Sequence, residues 1–286
     1  MQKLDSSILS DVIKPRPQES FKGTFGKILL IGGNHQFGGA IIMATAASVY
    51  CGTGLVTVAT DPINASPIHS QLPEAMVIDF RDAHAIANLI SQVNTVVIGP
   101  GLGEEAESKA ILEKVFALTR DEQTVVIDGS AITLMARDQI SQPKGHLIYT
   151  PHQMEWQRLS GIKIADQTSD ANQKARDELK ATVILKKHHT EIYTAREIYQ
   201  LPIGSAAQAI GGMGDTLAGM VGGFTAQFRN DITKAALAAT YAHSAIADEL
   251  AEQQYIVLPH QISQALPTFM KKVSLSESNR TIGFHN

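Results

Sequence analysis

Short apolar runs that end in glycine or polar clusters constrain this chain more than any other feature of its sequence. Lys27-Ile28-Leu29-Leu30-Ile31 leads into Gly32-Gly33-Asn34, and Thr95-Val96-Val97-Ile98 into Gly99-Pro100-Gly101-Leu102-Gly103. Thr124–Ile127 ends in Asp128-Gly129-Ser130, His146–Tyr149 in Thr150-Pro151-His152, and residues 181–185 in Lys186-Lys187-His188-His189-Thr190. Runs this short, apolar without alternation, read as strands buried on both faces, as in a parallel sheet. Residues 55–59 add another strand, and Glu191-Ile192-Tyr193 reads as the return arm of a hairpin. Helical stretches intervene: residues 40–50, a helix opening at Glu104-Glu105, one through Met154 and Leu159, and the alanine-rich Ile232–Ala251. The order predicts an α/β fold with a mostly parallel central sheet and helices on both faces. In such sheets ligands bind beyond the carboxyl ends of the strands, where this chain collects its glycines, lysines and histidines. Residues 1–20 read as a short amphipathic helix and an extended Lys14-Pro15-Arg16-Pro17 segment, and the last residues as a polar tail. With no linker or break in composition, the expectation is a single domain over residues 1–286.

The second strong feature is Gly211-Gly212-Met213-Gly214-Asp215, which opens a helix of small and apolar residues. Its glycines allow close approach of the backbone to a ligand. The free N–H groups and positive dipole end of the helix would face whatever sits in the turn. That combination cradles phosphate or an oxyanion. After Tyr199 and as far as Gln227, Asp215 is the one ionisable side chain, so it is either a helix cap or a base. Leu217, Met220, Val221, Phe224 and Phe228 form an apolar face, yet Gly219, Gly222 and Gly223 interrupt it. A mid-helix glycine costs roughly 1 kcal/mol relative to alanine. Close packing against a sheet or a ligand would account for them.

Composition narrows the class. With 286 residues, 44% hydrophobic and 18% charged, the chain can bury a large core. A net charge of -4, with no basic run beyond Lys186-Lys187 and Lys271-Lys272, argues against nucleic acid and anionic membranes. The single cysteine, Cys51, excludes an intramolecular disulfide and a cysteine-built zinc site. The polar N-terminal segment does not resemble a signal peptide, and no run reaches the roughly 18–20 apolar residues of a spanning helix; the expected location is cytoplasmic. Residues 33–39 have a P-loop's glycine spacing without its Lys-Ser/Thr, and Gly99-x-Gly101-x-Gly103 is not the dinucleotide fingerprint. No histidine pair has metal-ligand spacing. Read alone, His152 is a substrate contact or a satisfied loop residue, His188-His189 a solvated turn, and Lys186-Lys187 a phosphate attractor or surface charge.

Taken in order, the runs K-G-x-F-G-K, GGA, GTGLVTVAT, VIGPGLG, VIDG, TPH-x-x-E, LKK-x-x-T and GGMGD-TLAG resemble the ADP/ATP-dependent NAD(P)H-hydrate dehydratases. These correspond to the carboxyl-terminal half of the larger YjeF-type repair proteins and belong to the ribokinase-like superfamily. The resemblance extends from about Lys22 to the last long helix, and the expectation is a stand-alone dehydratase without the epimerase half of the fused proteins. It differs at Gly204-Ser205-Ala206-Ala207-Gln208, where the family has GNPGM, at Met213, where it has threonine, at Gln153-Met154, and at Lys187.

The resemblance implies a ribokinase-like fold and repair of nicotinamide cofactors whose ring has added water (NADHX and NADPHX). It implies Asp215 as general base, an anion hole at Gly212 and Gly214, and a hydrated cofactor touching Ala40, Gly103, His152 and Asp215. ADP or ATP would lie along Lys186, Lys187, His188, His189 and Thr190 with Gly214 at its phosphate end, carrying Mg2+ held partly by water. The family leans towards a homotetramer. Two alternatives remain open from the residues: a ribokinase-like kinase for a sugar or thiazole alcohol, and a non-catalytic nucleotide-binding protein.

Overall fold

Alternate residues of each central strand enter different cores. Ile28, Leu30, Val58, Val97, Val126, Ile148 and Ile184 face one layer, and Leu29, Ile31, Ala59, Val96, Ile98, Val125, Ile127, Val183 and Leu185 the other. Burying an aliphatic side chain contributes roughly 1.5–3 kcal/mol, so both parities are dominated by aliphatic residues, with Thr57, Thr95, Thr124 and Thr182 among the few buried polar residues of the strands. The computed structural model describes residues 1–282, with burial assigned through Leu275.

The strands are Gln2–Lys3 (β1), Lys27–Ile31 (β2), Leu55–Thr60 (β3), Met76–Asp79 (β4), Thr95–Ile98 (β5), Thr124–Ile127 (β6), His146–Tyr149 (β7), Thr182–Leu185 (β8), Glu191–Tyr193 (β9) and Ile198–Gln200 (β10). They form one sheet in the order β1-β10-β9-β8-β7-β6-β5-β2-β3-β4. From β8 through β4 every pairing is parallel; β9 is antiparallel to both its neighbours. The chain builds outward from β2 to β4, then returns to lay β5 on the other side of β2. That reversal opens a crevice beyond the carboxyl ends of β2 and β5, where Gly32-Gly33-Asn34 meets the 99–103 loop.

The helices are Ser7–Val12 (α1), Gly38–Tyr50 (α2), Ala65–Gln71 (α3), Ala83–Ile90 (α4), Ala106–Leu118 (α5), Ser130–Asp138 (α6), Gln153–Ser160 (α7), Ser169–Leu179 (α8), Met213–Gln227 (α9), Ile232–Ala251 (α10) and Pro259–Ile282 (α11). Among the described residues no helix is long and apolar enough to cross a membrane. Every residue of α9 from Thr216 to Ala226 is buried, and its internal glycines are where neighbours come closest. A Cβ on Gly219 would collide with the Ala44 backbone of α2, one on Gly222 with Val97 of β5, and one on Gly223 would stand 3.1 Å from the Cys51 Cβ. Ser48 on α2 donates to the Gly219 carbonyl at 2.9 Å, tying the helices at that approach. The glycines therefore serve packing against the sheet and α2, not a ligand.

Three parts differ from the sequence-based expectation. The last residues are not simply a polar tail: through Ile282 they form α11, while 283–286 lie outside the described residues. Ile262, Leu266 and Phe269 are buried along it, one apolar residue per turn, a stripe masked by Pro267 and the surrounding polar residues. Gln2 and Lys3 pair in parallel with β10, a long-range contact with no local signal. Residues 61–94, where no motif stands out, supply α3, β4 and α4.

Substituting Gly219→Ala sets a helix-propensity gain of about 1 kcal/mol against an overpacking cost of typically 1–3 kcal/mol. The expected net is a lower urea midpoint, whereas Gly211→Ala, with open space around it, should stay within about 0.5 kcal/mol of the parent. Equal midpoints for the two variants would refute the packing account.

Candidate active site

The positive end of α9 is built by Gly212. It caps the helix at φ 93°, a left-handed conformation that costs a side chain dearly, and a Cβ there would strike the Met43 thioether of α2. The Thr216 amide closes the first turn on the Gly212 carbonyl at 3.0 Å, leaving the N–H groups of Met213, Gly214 and Asp215 outside the helical ladder. Asp215 is not the cap. It is the third residue of the helix, and its carboxyl is pushed up to about 7. Burial is the largest cause, followed by the charge of Asp128; Lys186 opposes both, and Glu155 adds to the rise. A carboxylate titrating near neutrality beyond the strand ends of a parallel sheet is a candidate for proton transfer.

Lys186 and Asp128 form the floor beside it. Asp128, at the end of β6, is 2% exposed. Its Oδ1 accepts from Lys186 Nζ at 2.8 Å and from Thr150 Oγ1 at 2.7 Å. The lysine backbone is anchored by its N–H on the Pro151 carbonyl at 2.8 Å. A Cβ on Gly214 would stand 3.0 Å from Lys186 Nζ, so the ammonium lies against the first turn of α9. Asp128 and nearby charges hold Lys186 above its ordinary value although burial acts the other way. Lys187 is tied at 2.7 Å to buried Glu191, which also accepts from the Tyr193 hydroxyl.

A cavity of about 380 Å³ opens between these strand ends and the helices, lined by His152, Lys186, Lys187, Thr190, Gln208, Met213, Gly214, Leu217, Thr240, His243 and Ser244. Clefts of about 440 and 590 Å³ open at the other end of α9, beside Gln227 and Phe228 and away from these charged groups. On the far side of the α9 turn lies the β2–β5 crevice. Ala40 is in the first turn of α2, and a Cβ on Gly101 would stand 3.0 Å from the Ala40 Cβ. Gly103 is buried there, its amide donating to Ser130 Oγ at 3.2 Å. The first turn of α9 thus spans two half-sites, with Gly212 against α2 on one side and Gly214 against Lys186 on the other.

Not all residues named from the sequence converge. Lys186, Lys187, Thr190, His152 and Gly214 share the cavity wall, and Ala40 and Gly103 share the crevice. His188 and His189 are exposed on the hairpin turn, their rings edge to face at 4.2 Å. His152 caps α7: its Nδ1 accepts from the amides of Met154 and Glu155 at 3.1 Å. Glu155 returns the bond by accepting from the His152 amide at 2.7 Å. Half of the His152 side chain is exposed, so the satisfied cap still presents a ring to the cavity.

Sequence reasoning assigned no role to Asp128, Thr150, Glu155 or His243. Asp128 and Thr150 sit in the strand-end clusters and Glu155 in the first turn of α7 just after one, where a signal existed. His243, inside alanine-rich α10, had none. It is buried beside the start of α9, and burial drives its pKa down to about 4. Its Nε2 has no partner.

A family profile described as NAD(P)H-hydrate dehydratase matches residues 28–268. The chain belongs to that family. It is 52% identical to an ADP-dependent (S)-NAD(P)H-hydrate dehydratase of Lactiplantibacillus plantarum over 97% of its own length and 99% of the relative's. A crystal structure of a ribokinase-like superfamily protein from Enterococcus faecalis V583 superposes with a TM-score of 0.93 at 47% identity, covering 96% of each chain. The ADP/ATP-dependent NAD(P)H-hydrate dehydratase of Bacillus subtilis, co-crystallised with ATP/Mg2+, superposes with a TM-score of 0.85 at 26% identity, covering 95% of this chain and 98% of that one. The family's ribokinase-like architecture is therefore the fold described above.

Within this family member the raised carboxyl of Asp215 carries a stability penalty. The ordinary value is 3.8 and the folded one about 7, so between them the unfolded chain binds fewer protons and stability falls as pH rises. At about 1.4 kcal/mol per pH unit, the penalty reaches a few kcal/mol above neutrality. Asp215→Asn is expected to raise Tm by several degrees at about pH 8 and to change it little at about pH 4. Calorimetry at both pH values checks this; equal shifts would show that the penalty is not electrostatic.

Proposed function

We propose that this chain is an ADP-dependent (S)-NAD(P)H-hydrate dehydratase, a hydro-lyase that returns hydrated NADH and NADPH to their reduced forms, releasing AMP and phosphate. One observation carries the reading: a desolvated carboxylate, Asp215, stands in the α9 turn between a cavity with lysines and anion-binding amides and a second crevice. That suits transfer of a phosphoryl group from a ligand on one side to a hydroxyl on the other.

In this reading the nucleotide occupies the cavity along Lys186, Lys187 and Thr190, its terminal phosphate against Gly214. The hydrated cofactor lies in the crevice past Ala40 and Gly103, its ring hydroxyl at Asp215. Asp215 takes the hydroxyl proton, and the oxygen attacks the β-phosphorus of ADP while the bond to AMP breaks. The amides of the Gly212–Gly214 turn and the Lys186 ammonium accept the charge gathering on the transferring oxygens. Phosphate then leaves with the C–O bonding pair, and loss of a proton from the neighbouring ring carbon restores the double bond. In this reading magnesium arrives on the nucleotide and neutralises phosphate charge, with water completing its shell.

Incubation of the protein with hydrated NADH, ADP and magnesium is expected to restore the absorbance of the reduced ring. Asp215→Asn should lower kcat by roughly 100-fold or more while the protein stays folded. No recovery with ADP or ATP would overturn the reading, and a stable phosphorylated product would instead make the protein a small-molecule kinase.

A further inference from the structure

The charges around the α9 turn do not balance, and the way they are paired is informative. Lys186 lies within electrostatic reach of three carboxylates, Asp128, Glu155 and Asp215, and is the cation acting on Asp215. An ammonium in such company pairs with whichever carboxylate is best preorganised. Here that is Asp128, whose Oδ1 holds Lys186 Nζ at 2.8 Å while Thr150 Oγ1 fixes the same oxygen at 2.7 Å. The alternative partner is Asp215 itself. A lysine seated on Asp215 would satisfy the base with an ion pair, weaken its hold on a proton, and draw the ammonium away from its place against Gly214.

We propose that Asp128 is a positioning residue whose buried carboxylate competes for Lys186 and so keeps the lysine off Asp215, leaving the base free and the ammonium at the phosphate end of the cavity. The proposal rests on the dehydratase reading for its substrate but not for its geometry. The other ionisable groups leave this competition intact. Glu155 on α7 accepts from the His152 amide, and the His152 ring, though open to the cavity, is held by its Nδ1 on the α7 cap and has its Nε2 3.5 Å from Glu155 Oε1. Lys187 is taken by Glu191. His243 on α10 is neutral above about pH 4. Glu105, after β5, accepts from Ser108, and the first two turns of α2 carry no ionisable side chain.

The test is the pH dependence of turnover with hydrated NADH and ADP–magnesium. Asp128→Asn removes a negative charge beside Asp215 and frees Lys186 to move onto it. The acid limb of kcat is expected to shift down by about one pH unit, with kcat at neutral pH falling roughly tenfold or more. Asp128→Glu and Thr150→Val keep the charge, and the limb should stay in place even if turnover drops. In Asp128→Asn/Lys186→Met the limb should return to the parent position or above it, with KM for the nucleotide still raised. Loss of activity in Asp128→Asn with an unmoved limb would reduce Asp128 to a structural role and overturn the proposal.

Two NMR measurements need no turnover. Carboxyl titration of Asp215 in the parent and in Asp128→Asn should show the same downward shift. If Asp128→Asn does not fold, the Lys186 ammonium of the parent protein should remain hydrogen-bonded to Asp128 as Asp215 ionises; migration to Asp215 would overturn the proposal. Should the parent protein fail to turn over any hydrate, the dehydratase reading falls, and these titrations still decide the role of Asp128.

Discussion

The close approach of α9 to the sheet and to α2 is the constraint on which the rest of the structure depends. Gly219 and Gly222 let backbone and aliphatic side chains meet where any Cβ would force the layers apart. A helix held that tightly cannot slide or tilt, because interiors at this density respond to small changes in volume. Its first turn is therefore placed by packing far from the site, and three free amides are presented beside Lys186 without local capping by a side chain. The helix-propensity cost of the glycines, roughly 1 kcal/mol each, is the condition for that placement.

The same rigidity makes the electrostatics possible. Asp215 is taken out of water by α9's burial and sits near two further carboxylates with one lysine among them. In an exposed loop these charges would be screened and would titrate near their ordinary values. Here they act on one another through protein, where the effective dielectric is far lower than that of water. A carboxylate that is destabilised as an anion is costly for the fold, and in the proposed reaction that same destabilisation suits it to act as a base, a trade seen when function is placed on a strained or desolvated group. The asymmetry of the lysine's pairing, with Asp128 and not Asp215, gives the cluster its direction.

Much of this was legible in the residues. The strands from β2 to β9 outside the 61–94 stretch, the helices α2, α7 and α10, and the sorting of polar residues to one sheet edge follow from apolar periodicity and glycine placement, which are local properties. Asp215, Lys186 and Gly214 could be singled out for the same reason. Other features depend on contacts between distant segments. The β1–β10 pairing joins residues nearly two hundred positions apart. The stripe along α11 is too thin to announce itself among polar neighbours. His243 looked like any residue of an alanine-rich helix until α10 was packed against the start of α9. His188 and His189, next to Lys187 in sequence, turn out on the exposed side of a hairpin.

By itself, then, the sequence determined the kind of sheet, the edge at which glycines and charged residues gather and the carboxylate that stands there, because each is written in the pattern of neighbouring residues. Only the tertiary structure decided that Asp215 is a buried group titrating near neutrality and not a helix cap. It alone decided that the helix glycines serve packing and that Lys186 is held by Asp128. Those outcomes depend on desolvation and on distances between side chains from β6, β7, β8 and α9, which are set only when the layers close on one another.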